Sequence, residues 1–171
     1  MRRLAHVLVA VTSVLTALFV ATVIRDTMVT AGGARNASKD ADFVRRMSFG
    51  TPLRSFTAAA KSHTGPDGGA GDTWFDWSTD FCSAPLIGNT GRSFNFTEPC
   101  RRHDFGYRNT KRLDERYGRG RYWNHDSRKR IDRQFLTDMK AHCGTRAMIN
   151  VPPCVSWAYT FYGAVRAAGG P

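Results

Sequence analysis

A cysteine, a histidine and an aspartate lie within five residues of one another in the segment Cys100-Arg-Arg-His103-Asp104. Glu98-Pro99 precedes them, and proline is favoured at the first helical position because its missing N–H would be unpaired there in any case. At helical spacing Cys100 and His103 lie about one turn apart on one face, while Asp104 points to a neighbouring face. A helix held through Cys100 could present a base and a carboxylate to a common cleft. This pairing suits a general base that works beside a metal-bound electrophile.

A second carboxylate, Asp80, lies two residues before Cys82. If Cys82 is bonded to Cys100, the loop that contains Asp80 and Phe81 is fastened to the first turn of the His103 helix. The Asp80 and Asp104 carboxylates and the Phe81 carbonyl could then reach one ion. All three are hard oxygen ligands and two are anionic, a set that suits calcium. Zinc is disfavoured because it prefers nitrogen and sulfur ligands.

Asp132 lies in a second helical stretch. If that helix packs antiparallel to the first, Asp132 can accept a hydrogen bond from His103 and leave the other ring nitrogen free as a base. This support resembles that of the histidine in a serine triad, with water as the nucleophile. Each residue also has a simpler explanation. A His-Asp dipeptide usually lies on the protein surface without a catalytic role. Asp132 could be an ordinary solvated residue, and Asp80 could cap a turn.

The N-terminal segment has the form of a targeting sequence. Arg2 and Arg3 are followed by an apolar run from Leu4 to Ile24, and Val29-Thr-Ala31 is a suitable cleavage site for a secretory signal. The run is also long enough to remain as a membrane anchor. In both cases the remainder is expected outside the cytoplasm. The predicted organisation is a signal or anchor at 1–31, a linker at 32–40 and one domain at 41–171.

The chain has four cysteines, and an oxidising export route favours two disulfides. Three connectivities are possible, of which Cys82–Cys100 and Cys143–Cys154 close the shortest loops. The alternative of a zinc site at Cys100-x-x-His103 is disfavoured by export. Other catalytic classes lack their motifs, since there is no Gly-x-Ser-x-Gly elbow and no glycine-rich phosphate loop before a helix.

The chain is strongly basic, with a formal net charge of +11. Without Arg2, Arg3, Arg25 and Asp26 of the N-terminal segment, 22 basic and 13 acidic side chains remain. A secreted protein with this charge is expected to approach anionic surfaces. The stretch 111–130 combines eight basic residues with Tyr117, Tyr122 and Trp123, which predicts an interfacial docking loop. A solvated loop is the alternative.

The apolar periodicity predicts helices, and no segment alternates convincingly as a strand. Two long helices are expected at about residues 99–113 and 126–142, the second capped by Asp126-Ser127. Pro152-Pro153 is expected to break the chain before a last helix at about 155–168. The buried stripe of the second long helix is predicted to contain Ile131, Phe135 and Met139. These features predict an all-α domain in which the two long helices are antiparallel and shorter helices surround them.

Three stretches resemble the secreted phospholipase A2 family of bacteria and fungi. They are Asp76-Trp-Ser-Thr-Asp-Phe-Cys82, Cys100-Arg-Arg-His-Asp-Phe-Gly-Tyr-Arg-Asn109, and Arg130-Ile-Asp132 with Asp138-Met-Lys140. The second of these is the most specific. The resemblance covers roughly residues 74–165, which is most of the expected domain.

The resemblance implies a calcium-dependent esterase that acts at the sn-2 position of glycerophospholipids. By motif position, His103 would be the base and Asp132 its partner, while Asp80, the Phe81 carbonyl and Asp104 would hold calcium. It also implies the disulfide pairing that closes the shortest loops. The expected partner is an anionic phospholipid surface rather than nucleic acid, with the protein a monomer. The competing function is a cationic secreted binding protein on the same scaffold, without turnover. A nuclease is disfavoured because further metal-site carboxylates are lacking.

A phospholipid substrate, which the resemblance implies, would need an apolar channel for its acyl chain. The sequence offers Phe81, Leu86, Phe94, Phe96 and Tyr107 as wall candidates, with ordinary core packing as the favoured alternative for each.

Overall fold

The computed structural model describes residues 36–63, 74–82, 94–168 and 170. Within these residues the secondary structure is helical and no strand occurs, which confirms the all-α prediction. The α-helices belong to the unit Ala37–Pro171, and they are α1 (Ala37–Arg45), α2 (Leu53–His63), α3 (Thr97–Tyr117), α4 (His125–Cys143) and α5 (Val151–Ala168). A π-helical turn (Arg46–Gly50) follows α1, and a 3₁₀ turn (Met148–Asn150) precedes α5.

The N-terminal segment 1–31, expected as a signal or an anchor, lies outside the described residues. None of the helices in the described part of the chain combines the length and the apolar character that a membrane crossing requires. Helix α1 begins at Ala37, so residues 37–40 of the expected linker are helical. Asp40 is buried there and accepts hydrogen bonds from Trp74 Nε1 at 2.5 Å and from the Tyr117 hydroxyl at 2.8 Å.

The two long helices are longer than predicted at both ends. Helix α3 continues to Tyr117 and ends at Gly118, whose φ of +140° favours glycine. The N-cap of α4 is Asn124, which accepts hydrogen bonds from the backbone N–H groups of Asp126 and Ser127. The Ser127 hydroxyl accepts from the Asn124 N–H in return, which completes a capping box. The prediction of Asp126-Ser127 as the cap was therefore wrong.

Pro152-Pro153 was expected to break the chain, but both prolines lie in the first turn of α5. Their missing N–H groups are tolerated there because the first-turn N–H groups of a helix have no intrahelical partner. The helix consequently begins four residues earlier than predicted. One disulfide joins Cys154 in this first turn to Cys143 at the end of α4.

Helices α3 and α4 are antiparallel, since contacts step forward along one helix and backward along the other. Arg102 forms a buried salt bridge with Asp138, and His103 reaches Asp132 at 2.8 Å. The disulfides Cys82–Cys100 and Cys143–Cys154 are the two pairs that close the shortest loops. Each fastens one long helix to its neighbour along the chain, and neither joins α3 to α4.

Helix α3 has a hydrophobic core on two sides. The stripe predicted for α4 is buried, with Ile131, Phe135 and Met139 at most 2% exposed. One core lies where the start of α3 meets α4 and α5, and it includes Phe96, Phe135, Met139, Ala158 and Phe161. The other involves α1, α2 and the 74–82 loop, and it includes Val44, Phe56, Phe75, Trp77, Phe105 and Leu113. Burial of both faces makes α3 a fixed support for the residues that it carries.

Candidate active site

His103 lies in the second turn of α3 and faces α4. Its ring is packed between those of Tyr107 and Phe135, with centroids 4.3 and 4.7 Å away. Its Nε2 is 2.8 Å from Oδ1 of Asp132. The side chain is only 10% exposed. The structure therefore places the two residues expected as base and orienting carboxylate in direct contact.

Asp132 is completely buried and is surrounded by donors. The Tyr107 hydroxyl donates to its Oδ1 at 2.7 Å, and Arg166 Nη1 from α5 donates to its Oδ2 at 2.8 Å. Arg128 Nε lies 3.8 Å from the same Oδ2. Burial alone would raise the pKa of Asp132, but the hydrogen bonds from His103, Arg166 and Tyr107 lower it below its usual range. Asp132 is consequently ionised at neutral pH.

An ionised Asp132 decides which nitrogen of His103 carries the proton. A carboxylate can only accept hydrogen bonds, so the Nε2 that faces it must be the N–H of the neutral ring. The lone pair then lies on Nδ1, and none of the described residues donates a hydrogen bond to that atom. This is the protonation state that a general base requires.

Gly106 allows the two helices to approach one another beside this pair. A Cβ at this position would lie 3.0 Å from the Cγ2 atom of Ile131, tighter than ordinary packing permits. Gly106 lies between His103 and Tyr107 in sequence, and Ile131 precedes Asp132. The absence of a side chain therefore supports the short distance between His103 and Asp132.

Sequence reasoning missed three residues around Asp132. Tyr107 donates to Asp132, and its position one turn after His103 could have indicated this. Arg128 lies one turn before Asp132 on α4, which is also a readable spacing. Arg166 had no local signal, because its contact depends on how α5 packs. Arg128 also donates to the Val165 and Arg166 carbonyls at 3.0 and 2.6 Å and so fastens the end of α5 to α4.

The second group of expected residues comprises Asp104 of α3 with Asp80 and Phe81 of the preceding loop. Asp104 Oδ2 accepts a hydrogen bond from the Thr79 hydroxyl at 2.5 Å. Burial raises the pKa of Asp104 to about 6, the Thr79 hydrogen bond offsets part of the rise, and the charge of Asp80 adds to it. Asp80 itself is exposed and accepts a hydrogen bond from Arg108 Nη2 at 2.7 Å. Two like charges are thus held near one another, and that of Asp104 is partly buried.

The loop that carries Asp80 is fixed to α3 at both ends. The Cys82–Cys100 disulfide fastens one end. At the other end the side-chain amide of Asn109 pairs with both backbone groups of Asp76, each at 2.8 Å. Phe81 has a φ of +57°, which is costly for an aromatic residue and is retained only where the surroundings impose it. Its N–H donates to the Thr79 hydroxyl at 2.9 Å.

The oxygen atoms of the expected ligands Asp80, Phe81 and Asp104 are of the type that calcium prefers. The described residues contain no cluster of three His, Cys, Asp or Glu side chains that could hold a metal ion. The expected set contains only two carboxylates and a carbonyl, to which water can add in a calcium site. The raised pKa of Asp104 beside Asp80 indicates a pair of anions that a divalent cation would stabilise. Their roles as ligands stay predictions.

The wall candidates of the acyl channel differ in their exposure. Phe96 is 2% exposed within the core, whereas Phe94 is only partly buried. Phe81 is 38% exposed and packs near the Arg101 guanidinium. Leu86 lies outside the described residues. Phe96 is therefore a core residue, the alternative that the sequence favoured.

Comparisons with known proteins agree on one family. A family model described as prokaryotic phospholipase A2 matches residues 44–169. A protein of Arthroderma benhamiae named secretory phospholipase A2 is 31% identical over 128 residues, which is 72% of this chain and 75% of that protein. A protein of the same name from Beauveria bassiana is 33% identical over 129 residues, or 75% of this chain. The match spans 58% of the length of the Beauveria protein.

Proposed function

Because this chain belongs to the prokaryotic phospholipase A2 family, we propose that it is a secreted, calcium-dependent enzyme that hydrolyses the sn-2 ester of glycerophospholipids. The products would be a fatty acid and a lysophospholipid. In this proposal His103 is the general base and Asp132 orients it. Asp80, Asp104 and the Phe81 carbonyl hold calcium. The enzyme acts as a monomer outside the cell.

One observation carries the proposal. His103 is hydrogen-bonded at 2.8 Å to a completely buried Asp132, which three further donors from three helices surround. Burial of an ionised carboxylate is costly unless its hydrogen bonds compensate for the loss of water. A protein that only bound an anionic surface would not need this arrangement. Catalysis by a base does need it, because the ring must be oriented and must carry its proton on Nε2.

The reaction follows from this protonation state. The Nδ1 of His103 accepts a proton from water, and the oxygen of that water attacks the sn-2 ester carbonyl. The imidazolium formed is stabilised by Asp132, which remains ionised. His103 then returns the proton to the departing oxygen of the lysophospholipid, so that the ring is neutral again. Calcium, when bound, would polarise the ester carbonyl and stabilise the developing negative charge.

The proposal is tested by the release of fatty acid from phospholipid vesicles, with calcium and with a chelator. The His103→Ala variant is expected to lose about 10² to 10⁴-fold in rate, because no other described base is bonded to Asp132. His125→Ala provides the matched control, since His125 is an exposed histidine at the start of α4. This control should retain full activity.

Two results would contradict the proposal. Near-normal activity of His103→Ala would exclude the residue as the base. Absence of fatty-acid release by the wild type at every calcium concentration would favour the cationic binding protein. Circular dichroism of each variant shows whether the helices have been retained.

A further inference from the structure

An exposed apolar tip projects between α4 and α5. Within the described residues four large hydrophobic side chains are exposed, and two of them are the adjacent residues Met148 and Ile149, at 90% and 82%. They lie on the 3₁₀ turn that leads into α5. A third is Tyr159, 51% exposed, whose ring lies 5.7 Å from Lys140 Nζ. Isolated exposed apolar side chains need no explanation, but two adjacent ones at a helix junction do.

The charged residues that flank this tip in sequence are basic. No aspartate or glutamate follows Asp138, and Lys140 and Arg146 lie between Asp138 and the tip. Asp138 itself is buried in its salt bridge with Arg102. Arg146 lies between the tip and the core, with its guanidinium 5.8 Å from the Phe94 ring. Exposed apolar side chains flanked by cations are complementary to an anionic lipid surface, whose acyl region accepts the former and whose headgroups attract the latter.

The tip lies at the same end of the helix pair as Phe81 and Cys82, the last residues of the loop that carries Asp80. Helices α3 and α4 are antiparallel, so the start of α3 adjoins the end of α4. Contacts between the Phe96 and His142 rings and between Arg146 and Phe94 demonstrate this. The Cys82–Cys100 disulfide brings exposed Phe81 to the first turn of α3. A surface that contacts the tip would therefore lie towards the end of this loop that carries exposed Phe81.

The basic stretch 111–130, predicted as a loop, is helical except for residues 118–124, which join α3 to α4 and have a different construction. Its rings are half-buried: Tyr117 donates to Asp40, and the Trp123 ring packs against Tyr107 at 4.9 Å. The loop is folded around Asp114, whose carboxylate accepts the backbone N–H groups of Gly120, Tyr122 and Trp123. Rings used in this way are not available to enter a lipid surface. The loop contributes charge only.

From these observations we infer that the Met148–Ile149 tip, with Lys140 and Tyr159 beside it, docks the protein on anionic phospholipid bilayers. The inference rests on the proposed function, because it names the surface by which the enzyme reaches its substrate. The tip supplies apolar contact, and the acid-free segment after Asp138 supplies attraction. The loop at residues 118–124 is not the docking surface.

Co-sedimentation with vesicles of phosphatidylglycerol tests the inference. The double variant Met148→Ser/Ile149→Ser is expected to bind about tenfold or more weakly, because each side chain contributes apolar area that leaves water on docking. Substitution of such exposed residues should leave the fold intact. The matched variant Arg119→Ser/Arg121→Ser changes two exposed residues in the loop and is expected to bind within about twofold of the wild type. Lys140→Ser should weaken binding by a few fold, and less at high salt.

A tip variant that binds as well as the wild type would overturn the inference, as would a larger loss in the loop variant. A tip variant that changes a dimer into a monomer without altering vesicle binding would also overturn it, since the tip would then join two copies. The fluorescence of a tryptophan introduced at the tip reports directly on its contact with the bilayer. Ile149→Trp should show a blue shift in the presence of vesicles, and Arg119→Trp should not.

The failure of docking can be separated from the failure of catalysis. Activity on a short-chain phospholipid below its micelle concentration does not require a surface. The tip variant is expected to retain this activity and to lose activity on vesicles. Equal loss on both substrates would overturn the inference. A wild type that binds vesicles but hydrolyses neither substrate would refute the proposed function and leave the docking result standing.

Discussion

Asp132 and Asp80 are both carboxylates of the candidate site, but the structure surrounds them in opposite ways. Asp132 is completely buried and receives hydrogen bonds from residues of α3 and α5, with a further arginine of α4 beside it. Asp80 is exposed on a loop, and the Arg108 that pairs with it is itself partly exposed. The charge of Asp132 is stabilised by protein side chains alone. Asp80 lies where an ion can approach, and its charge is balanced by a partly exposed arginine.

The comparison indicates how the two halves of the site can be separated. The half that contains His103 and Asp132 is assembled without any metal, because protein donors satisfy the buried charge. The half that contains Asp80 and Asp104 holds two anions near one another, and the pKa of Asp104 is raised by burial and by the charge of Asp80. Substitutions in the first half should therefore affect stability and turnover. Substitutions in the second half should affect calcium binding.

The largest difference is expected in the free energy of unfolding. Asp132→Ala removes the acceptor of an arginine, a tyrosine and a histidine and leaves buried Arg128 without its ion pair, and it should destabilise the protein by about 3–5 kcal/mol. Asp80→Ala removes an exposed ion pair and should cost about 0–1 kcal/mol. Urea unfolding with the disulfides intact measures both values. Equal losses in the two variants would show that burial does not distinguish the two carboxylates.

A milder change at Asp132 should separate turnover from calcium binding. Asp132→Asn can donate to Nε2 of His103 and so favours the wrong tautomer, which is expected to lower kcat by about 10²-fold. Calcium affinity should change little, because Asp132 is not one of the expected calcium ligands and its contacts are with His103, Tyr107 and Arg166. Calorimetric titration and steady-state kinetics of the same preparation check this. A variant that loses calcium binding instead would show that Asp132 belongs to the calcium-binding half of the site.

The converse result is expected for Asp104. Asp104→Asn removes one of two carboxylates and should weaken calcium binding by about tenfold or more, and Asp80→Asn should act in the same direction. Saturating calcium should restore much of the activity of either variant, since the base is intact. Unchanged calcium affinity in one variant would remove that residue from the ligand set. The matched control is Asp126→Asn, an exposed aspartate near the start of α4.

The sequence predicted the parts of this site that depend on local spacing. Cys100, His103 and Asp104 follow from one helical segment, and the antiparallel partner with Asp132 follows from the all-α pattern. The start of α5 was missed because Pro152-Pro153 is compatible with either a break or a first turn. Only the packing of the following residues decides between these.

What the sequence could not predict depends on contacts between distant elements. Arg166 reaches Asp132 across 34 positions of the chain, and nothing in its own neighbourhood indicates this. Composition also does not indicate whether an aromatic side chain faces the solvent or packs against the protein. Trp123 and Tyr117 read as an interfacial loop, but they pack towards α1 and α3 because partners exist there. Met148 and Ile149 have no such partners among the described residues, and no pattern in the sequence indicated their exposure.

The smallest expected effect concerns Arg166 and depends on pH. The pKa of Asp132 in the folded protein lies below its usual value of about 3.9, so its contribution to stability is present above that pH. The contribution is lost as the pH falls through the lowered value. Arg166→Met removes one of the donors that keep Asp132 ionised. The variant should therefore be less stable than the wild type near neutral pH, by less than Asp132→Ala.

This difference should decrease as the pH falls below about 4, because Asp132 then becomes protonated first in the variant and later in the wild type. Urea unfolding of both proteins at about pH 6 and about pH 2.5 measures the change. Arg119→Met is the matched control, since it removes an exposed arginine of the 118–124 loop without touching Asp132. If the difference in free energy of unfolding between the wild type and Arg166→Met is the same at both pH values, Arg166 stabilises α5 through packing. In that case the charge of Asp132 would be held by His103, Tyr107 and Arg128 without it.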